Sequence, residues 1–199
     1  MNLLAHAILS PPDDAILVGN LVADWVKGRA RRTLPPGIQA GFALHRRIDD
    51  FTDMHPLVEL CSARLSDKWG RYSPVLVDIF FDHLLAANWR DHHAEPIESF
   101  VRRVYRTLHA HRPMLPERAG FAICALTRDD WFSTYATLDG IRLTLTRMSA
   151  RLRHDVELAP AVDDFQSHRD AFREAFDRFF PELRRAAEMA PAIEETLSA

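Results

Sequence analysis

The sequence predicts an all-α protein that folds as a single domain. Apolar residues recur at helical spacing along the whole chain, and no sustained alternation typical of strands interrupts them. Only 7 of the 199 residues are glycine, whereas alanine, leucine and arginine are abundant, which favours helices. Neither an internal repeat nor a linker-like tract divides the chain, and its length suits one sizeable core. We therefore expect residues 1–199 to form one compact helical bundle.

Proline and glycine set the predicted helix boundaries. A short first helix covers residues 3–9 and ends at Ser10, before two prolines. Asp13 or Asp14 caps the second helix, which is expected to bend or break near Gly19. Pro36 opens a long third helix that ends before residue 56. Further helices are expected over residues 56–69, 74–89, 96–111, 115–126, 128–150 (broken near residue 139) and 161–180, with a polar helix or tail over 181–199.

Composition excludes several classes of protein. No apolar run approaches the roughly 20 residues of a membrane span, so membrane insertion is not expected. The first residues lack the basic and apolar regions of a signal peptide, and the chain has only two cysteines, which together predict a cytoplasmic protein without disulfides. A net charge of −3 argues against a nucleic-acid binder that relies on overall positive charge.

Two predicted helices carry ionisable groups among apolar residues. The segment VDIFFDHLLAANW contains Asp78, Asp82 and His83 on a helix that is apolar almost all round and hence buried. The segment GFALHRRIDDFTD contains His45 and Asp49, four residues apart and so on one face. Buried charges need partners, because an unpaired one costs several kcal/mol or more.

Two interpretations fit these groups. Imidazole and carboxylate ligands together suit divalent ions such as Mn, Fe, Mg or Zn, which helical bundles can hold between facing helices. The alternative is a buried ion-pair network in which Arg46 or Arg47 contacts Asp49, Asp78 or Asp82. An ion-pair network has no need of histidines, so His45 and His83 favour the metal.

Two isolated polar residues extend the candidate site. His6 interrupts NLLAHAIL and Asp24 interrupts LVADWV. Each also has an ordinary structural explanation, since buried histidines are often hydrogen-bonded core residues and an aspartate near a helix end is often a cap. No nucleophile motif, phosphate-binding loop or CxxC pair is present. The residues by themselves favour metal-assisted hydrolysis of a phosphate ester, with Arg46 or Arg47 assisting.

Four blocks of sequence, in this order and spacing, resemble the acyl carrier protein phosphodiesterase family: MNLLAHAIL, GNLVADWVKG, GFALHRRIDDFTD and VDIFFDHLLAANW. Weaker similarity continues through WFSTYATLDGIRLTLTRMSARLR, so the resemblance covers nearly the whole chain. It implies hydrolysis of the phosphodiester between 4′-phosphopantetheine and a serine of holo-acyl carrier protein. It also implies a divalent metal cofactor, with Mn favoured over Mg, Fe or Zn.

The family is regarded as a divergent group of HD phosphohydrolases, which implies an HD-like helical fold. The usual His-Asp pair is not evident here, because Asp82 and His83 stand in reverse order and His154-Asp155 lies in a late, Arg-rich segment. Only positions inside the matching blocks are carried over. The expected metal ligands are Asp24, His45, Asp82, His83 and His6. The expected catalytic residues are Asp49, Asp78, Arg46 and Arg47.

Acyl carrier proteins are small and acidic, so the resemblance implies a basic docking face. The segment KGRARR, which contains Lys27, Arg29, Arg31 and Arg32, is the expected docking site. Two other functions remain open: an HD-like phosphohydrolase that acts on a nucleotide or small phosphoester, and a non-catalytic helical binding protein. The sequence leaves the oligomeric state open.

Overall fold

A computed structural model describes residues 2–152 and 156–189, and within them every regular element is a helix. The N-terminal half contains α1 (Leu3–Ile8), α2 (Asp14–Val22), a 3-10 turn (Ala23–Trp25), α3 (Ala30–Thr33), α4 (Pro36–Asp53), α5 (Pro56–Trp69), a second 3-10 turn (Gly70–Tyr72), α6 (Ser73–Ala87) and α7 (Trp89–His92). There follow α8 (Ile97–His111), a third 3-10 turn (Arg112–Met114), α9 (Glu117–Arg128), α10 (Trp131–Thr134), α11 (Leu138–Ser149), α12 (Ala161–Ser167) and α13 (Arg169–Glu188). The prediction of an all-α protein is confirmed.

Helix α6 lies at the centre of the core. Phe80 stacks on Phe165 of α12, and Phe81 meets Phe176 of α13 edge to face. The rings on α6, α12 and α13 are almost completely buried, and burial of each large aromatic side chain contributes about 1.5–3 kcal/mol. The N-terminal helix α1 also packs against α6, and this contact brings the first residues of the chain to the interior.

Helices α2 and α4 cross at very short range because two glycines meet there. A Cβ atom on Gly19 would lie 2.1 Å from the carbonyl oxygen of Ile38, and one on Gly41 would lie 2.3 Å from that of Ile16. No side chain fits at either position. The sequence predicted a bend or break near Gly19. Instead α2 runs uninterrupted through Gly19, which allows the helix to pack directly against α4.

The C-terminal half differs from the prediction in three places. The helix expected over residues 161–180 is interrupted at His168, where α12 ends and α13 begins. Pro181 does not start a new helix, because α13 continues through it to Glu188. The break expected near Asp139 lies a few residues earlier, between α10 and α11. The remainder of the expected tail falls outside the described residues.

No helix among the described residues has the length and apolar character needed to cross a membrane. Cys61 is buried and Cys124 is half-buried, and both are free thiols. A cytoplasmic location stays a prediction.

Candidate metal centre

One cavity of about 320 Å³ contains five of the nine residues expected to bind metal or take part in catalysis. It is enclosed by helices α1, α4, α6 and α10 and by the 3-10 turn that follows α2. Its lining consists of Asn2, Leu3, His6, Asp24, Trp25, His45, Asp49, Asp53, Asp78 and Trp131. Four of these residues are carboxylates, and no lysine or arginine is among the described residues that line it.

His6 reaches the cavity from α1 and is 1% exposed. Its Nε2 atom lies 3.2 Å from Oδ1 of Asp49, and its Nδ1 atom lies 2.8 Å from Oδ1 of Asn20. Burial lowers the pKa of His6, although Asp49 opposes this shift. The imidazole is therefore held mainly in its neutral form, which is the form that binds metals.

His45 and Asp49 face the cavity from consecutive turns of α4. Nε2 of His45 lies 3.1 Å from Oδ2 of Asp49 and 3.6 Å from Oδ1 of Asp24. Burial lowers the pKa of His45, but the two carboxylates outweigh it and raise the pKa to about 9. Burial likewise disfavours the Asp49 anion, and contacts with His45 and His6 reverse this and lower its pKa. The helical spacing of four puts both side chains on one face of α4, where they are in contact.

The hydrogen bonds around the two histidines direct both Nε2 atoms towards Asp49. Each Nδ1 atom faces an oxygen of Asn20, so each imidazole turns its Nε2 atom towards Asp49. Nε2 of His45 is buried and makes no hydrogen bond of good geometry, despite the nearby carboxylate oxygens. Ligand atoms of His6, His45 and Asp49 all lie within 4.8 Å of one another. Two imidazoles and a carboxylate suit a divalent transition metal.

Further carboxylates surround this group in the same cavity. Asp24 stands at the rim with a 73% exposed side chain, and its contact with His45 lowers its pKa. Asp78 comes from α6, and burial raises its pKa. Asp53 follows Asp49 by one turn of α4. The cavity therefore offers both ionised carboxylates and one whose protonated form burial favours.

Asp82, an expected metal ligand, is engaged elsewhere and does not line the cavity. Its carboxylate accepts backbone hydrogen bonds from Leu4 at 2.8 Å and from Ala5 at 3.2 Å, and it is fully buried. These two N–H groups are among the first of α1, which have no partner inside the helix. Asp82 thus contacts the start of the helix that carries His6.

His83, also an expected ligand, faces another part of the core. Its Nδ1 atom lies 2.8 Å from the carbonyl oxygen of Tyr135, and its ring meets Phe165 edge to face. Burial lowers the pKa of His83. Adjacent residues on a helix point about 100° apart, which separates His83 from Asp82 and from the cavity.

The expected catalytic arginines lie outside the cavity lining. Arg46 is exposed and Arg47 is half-buried on α4, where the helix turns them away from the face of His45 and Asp49. In the described part of the chain, Asp49 contacts His6 and His45. The pair His154-Asp155 lies outside the described residues.

Sequence reasoning missed the role of Asn20. Its side chain and backbone contact both histidines, but in sequence it is one polar residue in an apolar helix beside a glycine. Trp25 and Trp131 also line the cavity. No motif or spacing in the sequence marks Asn20 or Trp25.

Comparison with known proteins points to one family. A family model described as acyl carrier protein phosphodiesterase matches residues 1–183. A protein of that name from Pectobacterium atrosepticum is 33% identical over 184 residues, covering 92% of this chain and 95% of the relative. A protein of the same name from Yersinia enterocolitica is 32% identical, covering 92% of this chain and 95% of the relative. One from Yersinia pestis is also 32% identical, covering 93% of this chain and 96% of the relative. No solved structure matches. The HD-like detail of the fold stays a prediction.

Proposed function

This chain belongs to the acyl carrier protein phosphodiesterase family, and from this we propose that it hydrolyses the phosphodiester that joins 4′-phosphopantetheine to a serine of holo-acyl carrier protein. The products are apo-carrier protein and free 4′-phosphopantetheine. The observation that carries the proposal is the convergence of His6, His45 and Asp49 in a cavity rich in carboxylates. A divalent cation bound there would offset carboxylate charge and favour the approach of an anionic phosphodiester.

We propose that His6, His45 and Asp49 hold a divalent metal, with Asp24 as a further ligand from the rim. The buried Nε2 atom of His45, which makes no hydrogen bond of good geometry, supports this assignment. When bound, such a metal neutralises charge on phosphoryl oxygens and lowers the pKa of water. Mn is the favoured ion, with Mg, Fe or Zn as alternatives that suit the same mixed ligands.

Asp78 is the proposed acid of the reaction. It lines the cavity beside the ligand group, and burial raises its pKa, which favours the protonated form. Hydrolysis adds water to phosphorus and breaks the bond from phosphorus to the serine oxygen, which must gain a proton. Asp78 donates that proton, and the attacking water supplies one in return. This is general acid catalysis by a carboxyl group with a raised pKa.

Trp25 and Trp131 supply the apolar part of the cavity and are proposed to contact the pantetheine arm. Both are half-buried, so part of each indole remains available to a ligand. The guanidinium of Arg151 lies 5.5 Å from the ring centroid of Trp131 and is exposed. An exposed cation beside the cavity suits an anionic substrate that approaches from solvent.

The expected docking segment adjoins the cavity in the chain, directly after Asp24 and Trp25. Lys27, Arg29 and Arg32 are exposed and remain the proposed docking residues for the acidic carrier protein. Arg31 differs, because it is half-buried and donates a hydrogen bond of 3.1 Å to the carbonyl oxygen of Ala23. Arg31 therefore holds the turn that carries Asp24, and its contribution to docking is expected to be small.

The function is tested by incubating metal-free protein with holo-acyl carrier protein, with and without Mn, and measuring the intact mass of the carrier. We expect loss of the phosphopantetheine mass only when Mn is present. A carrier that keeps its prosthetic group in the presence of Mn would contradict the proposal. Release of phosphate from nucleotides or small phosphoesters under the same conditions would favour the phosphohydrolase alternative. Absence of bound metal and of both activities would favour a binding protein.

A further inference from the structure

Asn20 contacts both of the proposed metal-binding histidines. It belongs to α2 and is 0% exposed. Its side-chain oxygen lies 2.8 Å from Nδ1 of His6, and its backbone oxygen lies 2.8 Å from Nδ1 of His45. One residue therefore contacts both rings on the side opposite the cavity.

The orientation of the Asn20 amide is determined by its other contacts. Nδ2 of Asn20 donates to the carbonyl oxygen of His6 at 2.8 Å and to Oγ of Ser10 at 3.0 Å. The Ser10 hydroxyl donates its own hydrogen to the His6 carbonyl at 2.9 Å, so its oxygen is left to accept. Rotating the amide would place its oxygen against that carbonyl. The amide oxygen must therefore face His6, where it can only accept.

These contacts place a hydrogen on Nδ1 of each ring. Nδ1 of His6 must donate to the amide oxygen, and Nδ1 of His45 must donate to the backbone oxygen. In both rings only Nε2 is left for a metal. The rings stack with centroids 4.3 Å apart, and their Nε2 atoms lie 3.2 and 3.1 Å from the two oxygens of Asp49.

At His6, Asp49 favours the opposite placement of the hydrogen, on Nε2 instead of Nδ1. Its Oδ1 atom, 3.2 Å from Nε2, would accept a hydrogen bond if the hydrogen moved from Nδ1 to Nε2. That shift would satisfy His6 and Asp49 with each other, and the nitrogen would no longer be available to a metal. The amide oxygen of Asn20, at the shorter distance of 2.8 Å, holds the hydrogen on Nδ1.

We propose that Asn20 is a positioning residue that keeps Nε2 of both histidines available to the metal, through its side chain at His6 and its backbone at His45. The inference rests on the proposed function, since it assigns a role toward the metal that the function requires. Partners that orient a metal-binding histidine typically change metal affinity 10–100-fold when they are replaced.

The test compares Asn20→Ala with the wild type and with Ser10→Ala. Mn affinity is measured on the purified chains by electron paramagnetic resonance, and the hydrogen on His6 is located in metal-free protein by long-range nitrogen–proton NMR. We expect Asn20→Ala to bind Mn about 10–100-fold more weakly and to move the His6 hydrogen to Nε2. Ser10→Ala leaves Nδ2 of Asn20 its bond to the His6 carbonyl, which still orients the amide, so this control should retain both wild-type properties.

Unchanged Mn affinity in a folded Asn20→Ala chain would overturn the proposal, as would an Nε2 hydrogen on His6 in metal-free wild type. The wild-type NMR measurement keeps the proposal falsifiable if the variant does not fold. A wild type that binds Mn tightly but leaves holo-carrier protein intact would contradict the proposed substrate and not the role of Asn20. A wild type that binds no divalent metal would contradict the proposed function itself.

Discussion

Single residues determine the chemistry available in the cavity. His6 is neutral because burial lowers its pKa, whereas nearby His45 takes a pKa of about 9 from Asp24 and Asp49 despite its burial. Two histidines with centroids 4.3 Å apart thus differ in charge because only one of them meets two carboxylates. The proposed divalent cation would bind Nε2 of neutral His6 directly and would replace the proton on Nε2 of His45.

Alanine substitutions at His45 and His83 should separate the two histidines that the sequence treated alike. We expect His45→Ala to lose bound metal and at least about 100-fold in kcat/KM, because a ligand is removed. His83→Ala should keep its metal and lose about 1–3 kcal/mol of stability, because the Tyr135 carbonyl is left without its partner. Metal content by mass spectrometry and denaturant unfolding measure the two effects. Metal loss in His83→Ala alone would contradict the assignment.

Helix α1 depends on contacts at its first turn. Asn2 accepts from the backbone of Leu3, and Asp82 accepts from Leu4 and Ala5, so all three amides have partners. A helix of six residues has little stability of its own, and these bonds together with packing on α6 hold it in place. His6 lies in the same short helix, so the position of this proposed metal ligand depends on the contacts at the first turn.

Asp82 should make stability depend on pH. Burial raises its pKa from 3.8 to about 7, although the Leu4 and Ala5 amides oppose this shift. The folded state then binds the proton more tightly than the unfolded state, so the free energy of unfolding should fall as pH rises from about 4 to about 7. We expect Asp82→Asn to be less stable at low pH and to show a flatter pH dependence. Urea unfolding of both metal-free chains across this range tests it, and equal slopes would contradict it.

The crossing of α2 and α4 sets the distance between Asn20 and His45. Gly41→Ala would place a Cβ atom 2.3 Å from the Ile16 carbonyl oxygen, so the helices must separate by about 1 Å to reach ordinary contact. We expect a loss of about 1–3 kcal/mol and weaker Mn binding, because the bond between His45 and the Asn20 carbonyl stretches.

Gly120→Ala on α9 is the matched control for this crossing. A Cβ atom there meets only the side chain of Arg112, at 3.4 Å or more. It should unfold at the same denaturant concentration or a slightly higher one, because alanine favours helix over glycine. If Gly41→Ala matched this control in both stability and Mn affinity, the close crossing would have no role in the site.

Charge over the whole molecule is divided between an acidic cavity and basic surface clusters. The net charge is −3, yet Lys27, Arg29 and Arg32 form an exposed basic group next in sequence to the cavity residues. A second exposed group on α8 lines a different depression, with Arg102 and Arg106 among its members. We expect an acidic protein substrate to dock on the first group and not on the group on α8, because only the first is next in sequence to the cavity residues.

Neutralising Lys27, Arg29 and Arg32 together should raise KM for holo-carrier protein roughly tenfold and flatten its dependence on salt, because exposed charge contacts contribute modestly and are screened. The triple variant Arg102→Ala, Arg103→Ala and Arg106→Ala removes the same charge from α8 and should leave KM unchanged. Steady-state kinetics from low to physiological salt measure both. A KM that responds only to the α8 variant would place docking on that helix instead.

The sequence by itself determined the all-helical fold, the family and the placement of His45 and Asp49 on one helix face, because these follow from local spacing or from similarity along the chain. Only the tertiary structure decided that His6 and Asn20 join that pair, and that Asp82 and His83 contact the Leu4 and Ala5 amides and the Tyr135 carbonyl instead. The physical reason is that a buried polar group takes whichever partner packing brings within about 3 Å. Helical periodicity fixes the direction of a side chain, but the element that it meets is decided by how the helices cross.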